Sequence, residues 1–524
     1  MKIKRVEKIL TSILLAFAMV LSFNASVYAA TKDQTQNVTI TELEDGTSVS
    51  VYKLIDLNID VGGSIMTPMY SWTDEIQAWI KNNEPTYIDQ SNDNEVTEAY
   101  TGLDDEMTGI VNTSDITKFY QKVASAIRGN DLTLTPVDTQ VASGSQVIIN
   151  GLKMGQYIAL ASHNNNAKKI YYPIGINVLP SEDLVLPASQ PVAMKSKPVT
   201  IDKDVDDSTV EVGQIVDYSL VSDIPTYPHN VDSIHYVIGD KLSSGLTLQS
   251  DSIKVYGGSS LSDPLAVDTD YTLSTIPTDK STFTIDIKKD YLIKHPGAQL
   301  KVTYSAKVNK DAVVGNENLR NDAYLEFNND PFDSNHFTEI PTNKQLYTYT
   351  VEFTKVDNGG STPLNGAQFT LSKEDGTKLD FDSDSDGNYT LSETQNGTGT
   401  LMESNNSGLF TIKGLATGSY TLKEVKSPSG YVLPNGEAKI TLVDNDVADG
   451  TLDVGTKVDG TYECIDFKTN TLKFSFKVKN KKAGDFDLPV TGGIGTMIFT
   501  TFGLVLMAGA LLLFFLNKKK TNIK

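Results

Sequence analysis

Asp382, Asp384, Asp386, Gly387, Asn388 and Glu393 stand at the spacing D-x-D-x-D-G-x5-E, that of a loop that wraps calcium in oxygen ligands. In such a loop the carboxylates supply hard oxygens, the glycine permits a sharp turn, and Asn388 falls where a backbone carbonyl is the ligand. The spacing predicts calcium. The flanks read as strands rather than helices, and an acidic hairpin turn with glycine is the competing reading. Other chemistry is sparse: the five histidines lack metal-ligand spacing, no G-x-S-x-G elbow is present, and Cys464 has no histidine motif around it. A free-standing enzyme is therefore not expected. A single cysteine also leaves this chain no intramolecular disulfide.

At the C-terminal end Leu488-Pro489-Val490-Thr491-Gly492 precedes an apolar run, 494–516, and then Asn517-Lys518-Lys519-Lys520. A run of that length can span a bilayer, and the lysines resist translocation, which parks the pentapeptide outside the membrane. This order resembles a sortase cell-wall sorting signal. The resemblance implies that a sortase cysteine cuts between Thr491 and Gly492 and passes the threonine acyl group to an amine. At the other end, residues 1–8 are basic, 9–23 apolar, and Val27-Tyr28-Ala29 offers small residues for cleavage, which predicts a signal peptide over 1–29. The mature chain then begins near Ala30.

Between these signals lie roughly 460 residues without a second spanning segment, enough for about three domains. The net charge of −21 disfavours nucleic acid and acidic lipid as partners, since both select basic surfaces. Short alternating runs at 347–356, 409–412 and 420–425, broken by Gly, Asn and Asp turns, predict an all-β chain of sandwiches. Helix is expected only over 71–82 and 114–128, where apolar residues recur at three- to four-residue spacing after Ser or Thr. Turn-rich stretches at 179–198 and 332–344 suggest the boundaries. The division expected is 30–196, 197–344, 345–486 and a sorting segment 487–524.

The third domain carries Gly408-Leu409-Phe410-Thr411-Ile412-Lys413-Gly414-Leu415, then Tyr420-Thr421-Leu422-Lys423-Glu424-Val425, then Pro428-Ser429-Gly430-Tyr431. It resembles the B-type (CnaB) repeat of collagen adhesins and pilins. The resemblance implies an immunoglobulin-like sandwich in which Glu424 faces Lys355 of "FTKVD" and Asn480 of "FKVKNKK", and in which Lys355 and Asn480 join through an isopeptide bond. Burial makes sense of those residue types: it lowers a lysine toward a neutral, nucleophilic amine and keeps a carboxyl protonated to shuttle protons while ammonia leaves.

The middle domain holds "VTIDKDV", "VDSIHYVIGDKLSSGLTL" and "LRNDAYLEF". It resembles the second domain of Gram-positive fimbrial backbone proteins, which implies Asp240 as the acid, Lys203 as the amine and Asn321 as the amide, with Asn318 as the rival of Asn321. Asp240 as a simple turn initiator before Gly245 is the alternative. The first domain, opening on "VTITELEDGTSVSVYKLIDL", resembles pilin N-terminal domains more loosely, and no crosslink such as Lys53 with Asn177 is predicted there.

These resemblances together identify the chain with the major subunits of sortase-assembled pili. That reading implies a shaft subunit linked head to tail through Thr491 and a lysine of the next copy. The partners implied are pilus-specific and housekeeping sortases, other copies of the chain, minor tip and base pilins, and peptidoglycan, with no cofactor required. The family's "YPKN" motif is replaced by Tyr172-Pro173-Ile174-Gly175. Lys195 and Lys197 in "PVAMKSKPVTIDK" are the substitutes by position, with Lys168 and Lys169 as rivals. The alternatives are a monomeric wall-anchored adhesin and a secreted hydrolase with accessory sandwiches.

Overall fold

The computed structural model describes residues 33–60, 63–103, 114–163, 168–181, 185–227, 231, 233–258, 261–277, 281–313, 319–330, 337–384, 386–445, 449–484 and 494–521. Strands dominate, because runs such as Gln299–Val308 and Lys473–Asn480 bury every second residue, the pattern that a sheet with one covered face requires.

In the first region a sheet ordered Ile174–Val178, Gly155–Ser162, Ser48–Ile59, Ile65–Trp72, Glu95–Val96 and Ile88–Asp89, with Asp138–Val141 paired beside Ser48–Ile59, stands against a smaller one. The smaller sheet has Thr35–Thr41 between Val147–Lys153 and Val192–Ala193. Val38, Ile40, Val49, Val51, Ile149, Tyr157 and Ile176 fill the space between them. A second core gathers Trp72, Ile76, Ile80, Tyr100, Phe119 and Val123 beneath the helices Gln77–Asn83 and Asp115–Arg128. Both expected helices are present, the first of them shorter because Ile65–Trp72 is strand. Short helices at Glu98–Thr101 and Lys289–Lys294 add to the two that periodicity predicts.

The middle sandwich faces two five-stranded sheets. One runs Ile201–Val205, Ile215–Asp223, Gln299–Val308, Leu246–Gly258, Asp263–Pro264; the other runs Tyr271–Ser274, Phe283–Ile287, Tyr236–Leu242, Arg320–Phe327, Thr338–Gln345. The stretch 332–344, expected as a boundary, contributes that last edge strand, paired antiparallel with Arg320–Phe327. Pro341 sits in it, and an edge strand tolerates a residue without an N–H.

The third sandwich pairs its first strand, Tyr349–Asp357, in parallel with its last, Lys473–Asn480, at the centre of a six-stranded sheet. The facing sheet is ordered Met402–Glu403, Gln368–Lys373, Gly418–Lys426, Ala438–Leu442, Lys457–Gly460.

The middle and third sandwiches are knitted together by the segment 208–214. Val210 N donates to Tyr347 O, Tyr347 N to Ser208 O and Val212 N to Gly414 O, and the Lys373 ammonium meets Glu211 at 2.6 Å. One apolar cluster continues through both. The first region joins the middle one through Ile170, which enters that cluster, and through an ion pair of Arg128 with Asp330 at 3.3 Å. The apolar run 494–516 falls within a helix, Ile494–Thr521, whose side chains are described over 500–513. Among the described residues no helix is long and apolar enough to cross a membrane.

Candidate functional site: two buried clusters of lysine, acid and asparagine

Alternation places Lys355 inward with Tyr349, Val351 and Phe353, Asn480 inward with Phe474, Phe476 and Val478, and Glu424 inward with Tyr420 and Leu422. The first two strands are neighbours and the third lies on the facing sheet, so three polar side chains meet in an apolar interior. Lys355 is fully buried. Its Nζ donates to Asn480 Oδ1 at 2.7 Å and to Val478 O at 3.2 Å, and lies 3.5 Å from Glu424 Oε2. Asn480 Nδ2 donates to Glu424 Oε1 at 2.8 Å and to Ser427 Oγ at 3.1 Å. Tyr462 OH receives the backbone N–H of Glu424.

Burial brings the Lys355 ammonium down to about 8, with Glu424 opposing the shift. Burial also raises Glu424, against the opposing pull of Lys355 and the hydrogen bonds it accepts. Both displacements favour the uncharged forms, which is the condition for an amine to act as a nucleophile beside a protonated acid.

The middle sandwich builds a second cluster across its two sheets. Lys203 comes from the first strand of one sheet; Asp240 and Asn321 come from neighbouring strands of the other. All three are buried. Lys203 Nζ donates to Asp240 Oδ2 at 2.5 Å. Tyr304 OH donates to that same oxygen at 2.6 Å and accepts from Asn321 Nδ2 at 2.9 Å. Desolvation lowers Lys203, with Asp240 opposing, and raises Asp240, with Lys203 and the Tyr304 hydrogen bond opposing. Asp240 Oδ1 and Asn321 Oδ1 have no hydrogen-bond partner among the described residues.

Family models match three stretches of the chain in order: a Gram-positive pilin backbone subunit 2, Cna-B-like domain over 212–331, a prealbumin-like fold domain over 349–457, and an LPXTG cell wall anchor motif over 480–522. A curated relative, the trypsin-resistant surface T6 protein of Streptococcus pyogenes serotype M6, is 24% identical over 94% of this chain and 97% of its own length. These domains in this order, closed by the anchor motif, support a sortase-assembled pilus backbone subunit. Among solved structures, the T6 backbone pilin of serotype M6 Streptococcus pyogenes shares the fold with a TM-score of 0.55 at 20% identity, covering 87% of this chain and all of that one. The full-length major pilin SpaD of Corynebacterium diphtheriae gives a TM-score of 0.49 at 16% identity, covering 88% of this chain and 100% of that one. With its LPXTG anchor motif, the protein is a cell-wall-anchored surface protein.

The other candidate residues fall elsewhere. Lys195 is exposed on a strap between Val192–Ala193, which pairs with Thr35–Thr41, and Ser196–Pro198, which pairs with Lys169–Tyr171. Its carbonyl receives the N–H of Tyr172. Lys197 and Lys169 are half-buried within that two-stranded ribbon, and Lys168 is exposed. Lys53 is paired with Asp56 at 2.5 Å, whereas Asn177 is exposed and accepts from Gln156, so the structure does not bring Lys53 and Asn177 together.

The calcium pattern is not gathered into a shell. Phe381–Ser383 and Asn388–Leu391 form a hairpin in which Asp384 accepts from the N–H groups of Asp386 and Asn388 and from the Asn388 side chain. Asp382 accepts from Ser392 Oγ. Glu393 is turned to the middle sandwich, where it accepts from Lys310 N at 3.0 Å and pairs with Lys307 at 3.7 Å. Among the described residues no group of three or more acidic, His or Cys side chains is placed to hold a metal. The acidic side chains are drawn to separate partners, Asp384 to the N–H groups of its own turn, Asp382 to Ser392 and Glu393 to the middle sandwich.

The signal peptide, Asn318 and the pentapeptide Leu488, Pro489, Val490, Thr491 and Gly492 lie outside the described residues. Tyr304, Ser427 and Tyr462 escaped the sequence reading. Inward alternation along 299–308 is the one signal that marks Tyr304.

Proposed function

We propose that this backbone pilin is the shaft subunit of a covalent pilus, polymerised head to tail by a sortase that joins Thr491 of one copy to Lys195 of the next. Two isopeptide bonds formed by the chain itself, Lys203 with Asn321 and Lys355 with Asn480, stiffen each subunit. The approach of Lys355 Nζ to Asn480 Oδ1, 2.7 Å inside an apolar core with Glu424 against both, is the observation that carries the reading.

The chemistry follows from burial. A neutral Lys355 amine attacks Asn480 Cγ, and the electron pair of the carbonyl moves onto Oδ1. Glu424, already bonded to Nδ2, gives that nitrogen a proton and takes one from Nζ, so ammonia leaves and the carboxyl is regenerated. No external enzyme enters. The link joins adjacent first and last strands of the third sandwich, so tension along the chain crosses a covalent bond instead of a ladder of hydrogen bonds. Such closure also restricts the unfolded chain as a disulfide does, without depending on redox conditions. The relative's name, trypsin-resistant, describes a property that these bonds would confer here.

Exposure favours Lys195 over the half-buried Lys197 as the acceptor amine. The strap holds it at the junction of the first and middle regions while leaving its side chain in solvent. The reading is tested on cell-surface extracts in detergent: a ladder of covalent multimers is expected, and it disappears when Lys195 and Lys197 are both replaced by Ala. A single monomer band from the unaltered protein contradicts polymerisation and leaves a monomeric anchored adhesin.

A further inference from the structure

The two clusters are not wired alike. In the third sandwich the acid reaches the amide directly, with Asn480 Nδ2 donating to Glu424 Oε1 at 2.8 Å. In the middle sandwich the acid is an aspartate, one methylene shorter, and no hydrogen bond joins Asp240 to Asn321 among the described contacts. Tyr304 spans the gap: its hydroxyl touches Asp240 Oδ2 at 2.6 Å on one side and Asn321 Nδ2 at 2.9 Å on the other.

We propose that Tyr304 is a catalytic residue of the middle sandwich, relaying a proton from Asp240 to the departing nitrogen of Asn321 while Lys203 forms its amide. This rests on the isopeptide reading above. Lys203 Nζ bonds to Asn321 Cγ, and the carbonyl pair moves onto Oδ1. Asp240 passes its proton to the Tyr304 oxygen as the Tyr304 hydroxyl proton moves to Nδ2. The C–Nδ2 bond then breaks with release of ammonia, and Asp240 recovers a proton from Nζ. Nζ loses one hydrogen, ammonia gains one, and Asp240 and Tyr304 end as they began.

The ring is held for this task. It stacks on Tyr218 with centroids 5.3 Å apart and meets the edge of Phe283 at 5.0 Å, and Lys203 Nζ lies 5.7 Å from its centroid. Such packing fixes the hydroxyl to within the tolerance that proton transfer demands. Burial and the adjoining Asp240 raise the Tyr304 hydroxyl well above its ordinary value, so it stays protonated and serves as a conduit instead of a base. Ser427, which touches Asn480 Nδ2 in the third cluster, supplements a contact that Glu424 already makes. In the middle cluster the Tyr218 hydroxyl also approaches Asn321, whereas Tyr304 bridges Asn321 to Asp240.

The test is Tyr304→Phe in the mature ectodomain, residues 30–491, followed by intact mass and by tryptic mapping of both linked peptides from purification onward. The unaltered protein is expected to carry both links. The variant is expected to carry the Lys355–Asn480 link in full while the Lys203–Asn321 link accumulates on the order of a hundredfold more slowly, the size of a lost general acid–base step. A variant fully linked at purification overturns the relay. Absence of the middle link from the unaltered protein overturns the isopeptide reading itself. Packing is separated from chemistry in a Lys203→Arg background, where no middle link forms: there Tyr304→Phe is expected to lower the melting temperature only by the few degrees that its two buried hydrogen bonds account for. A large drop in that background assigns Tyr304 a packing role and also overturns the relay.

Discussion

Lys355 and Asn480 belong to adjacent parallel strands, with Lys355 opposite Val478 and Asp357 opposite Asn480, and their side chains meet 2.7 Å apart beneath Glu424. The first and last strands of the sandwich thus meet at a point of reactive contact. Elsewhere in the interior such a lysine would be a liability, since a buried charge without full compensation destabilises a core. Conversion to an amide removes both the charge and the liability.

Replacing Lys355, Glu424 or Asn480 with Ala should therefore lower the thermal midpoint and open tryptic sites in the third sandwich. Losing the closure of so long a loop costs about 4–5 kcal/mol on the chain-entropy account, or a fall of roughly 10–20 °C. Calorimetry of each variant beside the unaltered protein checks this, and unchanged melting in all three would count against the link.

The joint between middle and third sandwiches should be sensitive at Gly414. Its φ is +85°, and a Cβ there would stand 2.7 Å from Val212 Cγ2, beside the backbone bond from Val212 N. Gly414→Ala is expected to destabilise the protein by about 1–3 kcal/mol through a strained left-handed residue. Denaturant titration reads the loss.

Acid should loosen the loop that presents Glu393 to the middle sandwich. Burial pushes the Asp380 carboxyl up, but the donors Asn396 N, Thr398 Oγ1, Gly399 N and Gly397 N outweigh it and hold the group below its ordinary value. A folded value below the unfolded one means the stabilisation is complete above the ordinary carboxylate range of about 4 and is lost as pH falls through the folded value. Asp380→Asn should melt lower than the unaltered protein at neutral pH, and the gap should close in acid. Melting curves across that range check the sign.

Calcium should leave the protein indifferent. Asp384 is occupied by backbone donors, and Glu393 is committed to Lys310 and Lys307. Titration of the ectodomain with calcium is expected to release no heat, and a chelator to leave the melting temperature where it was; binding heat at the hairpin would contradict this.

Much of the architecture was legible because period-two burial writes itself into the order of apolar residues, as in 349–357 and 418–426. The strand Thr338–Gln345 was not, since Pro341 and flanking turn formers look like a linker, and only pairing to Arg320–Phe327 makes them an edge. The clusters were legible as far as motif resemblance named their three members. Tyr304 was hidden because its role depends on which strand faces it, information that sequence spacing within 299–308 does not contain. The calcium pattern shows the converse: its one-dimensional spacing is complete, but spacing does not contain the partners that Asp384 and Glu393 take up in the fold.

The central claim concerns covalent bonds, so mass decides it most directly. Each Lys–Asn amide expels one ammonia, a deficit of about 17 Da. The intact mass of the ectodomain, residues 30–491, is predicted to fall short of the unlinked chain by two ammonias, with tryptic peptides joining Lys203 to Asn321 and Lys355 to Asn480. A mass equal to the unlinked chain would contradict the account.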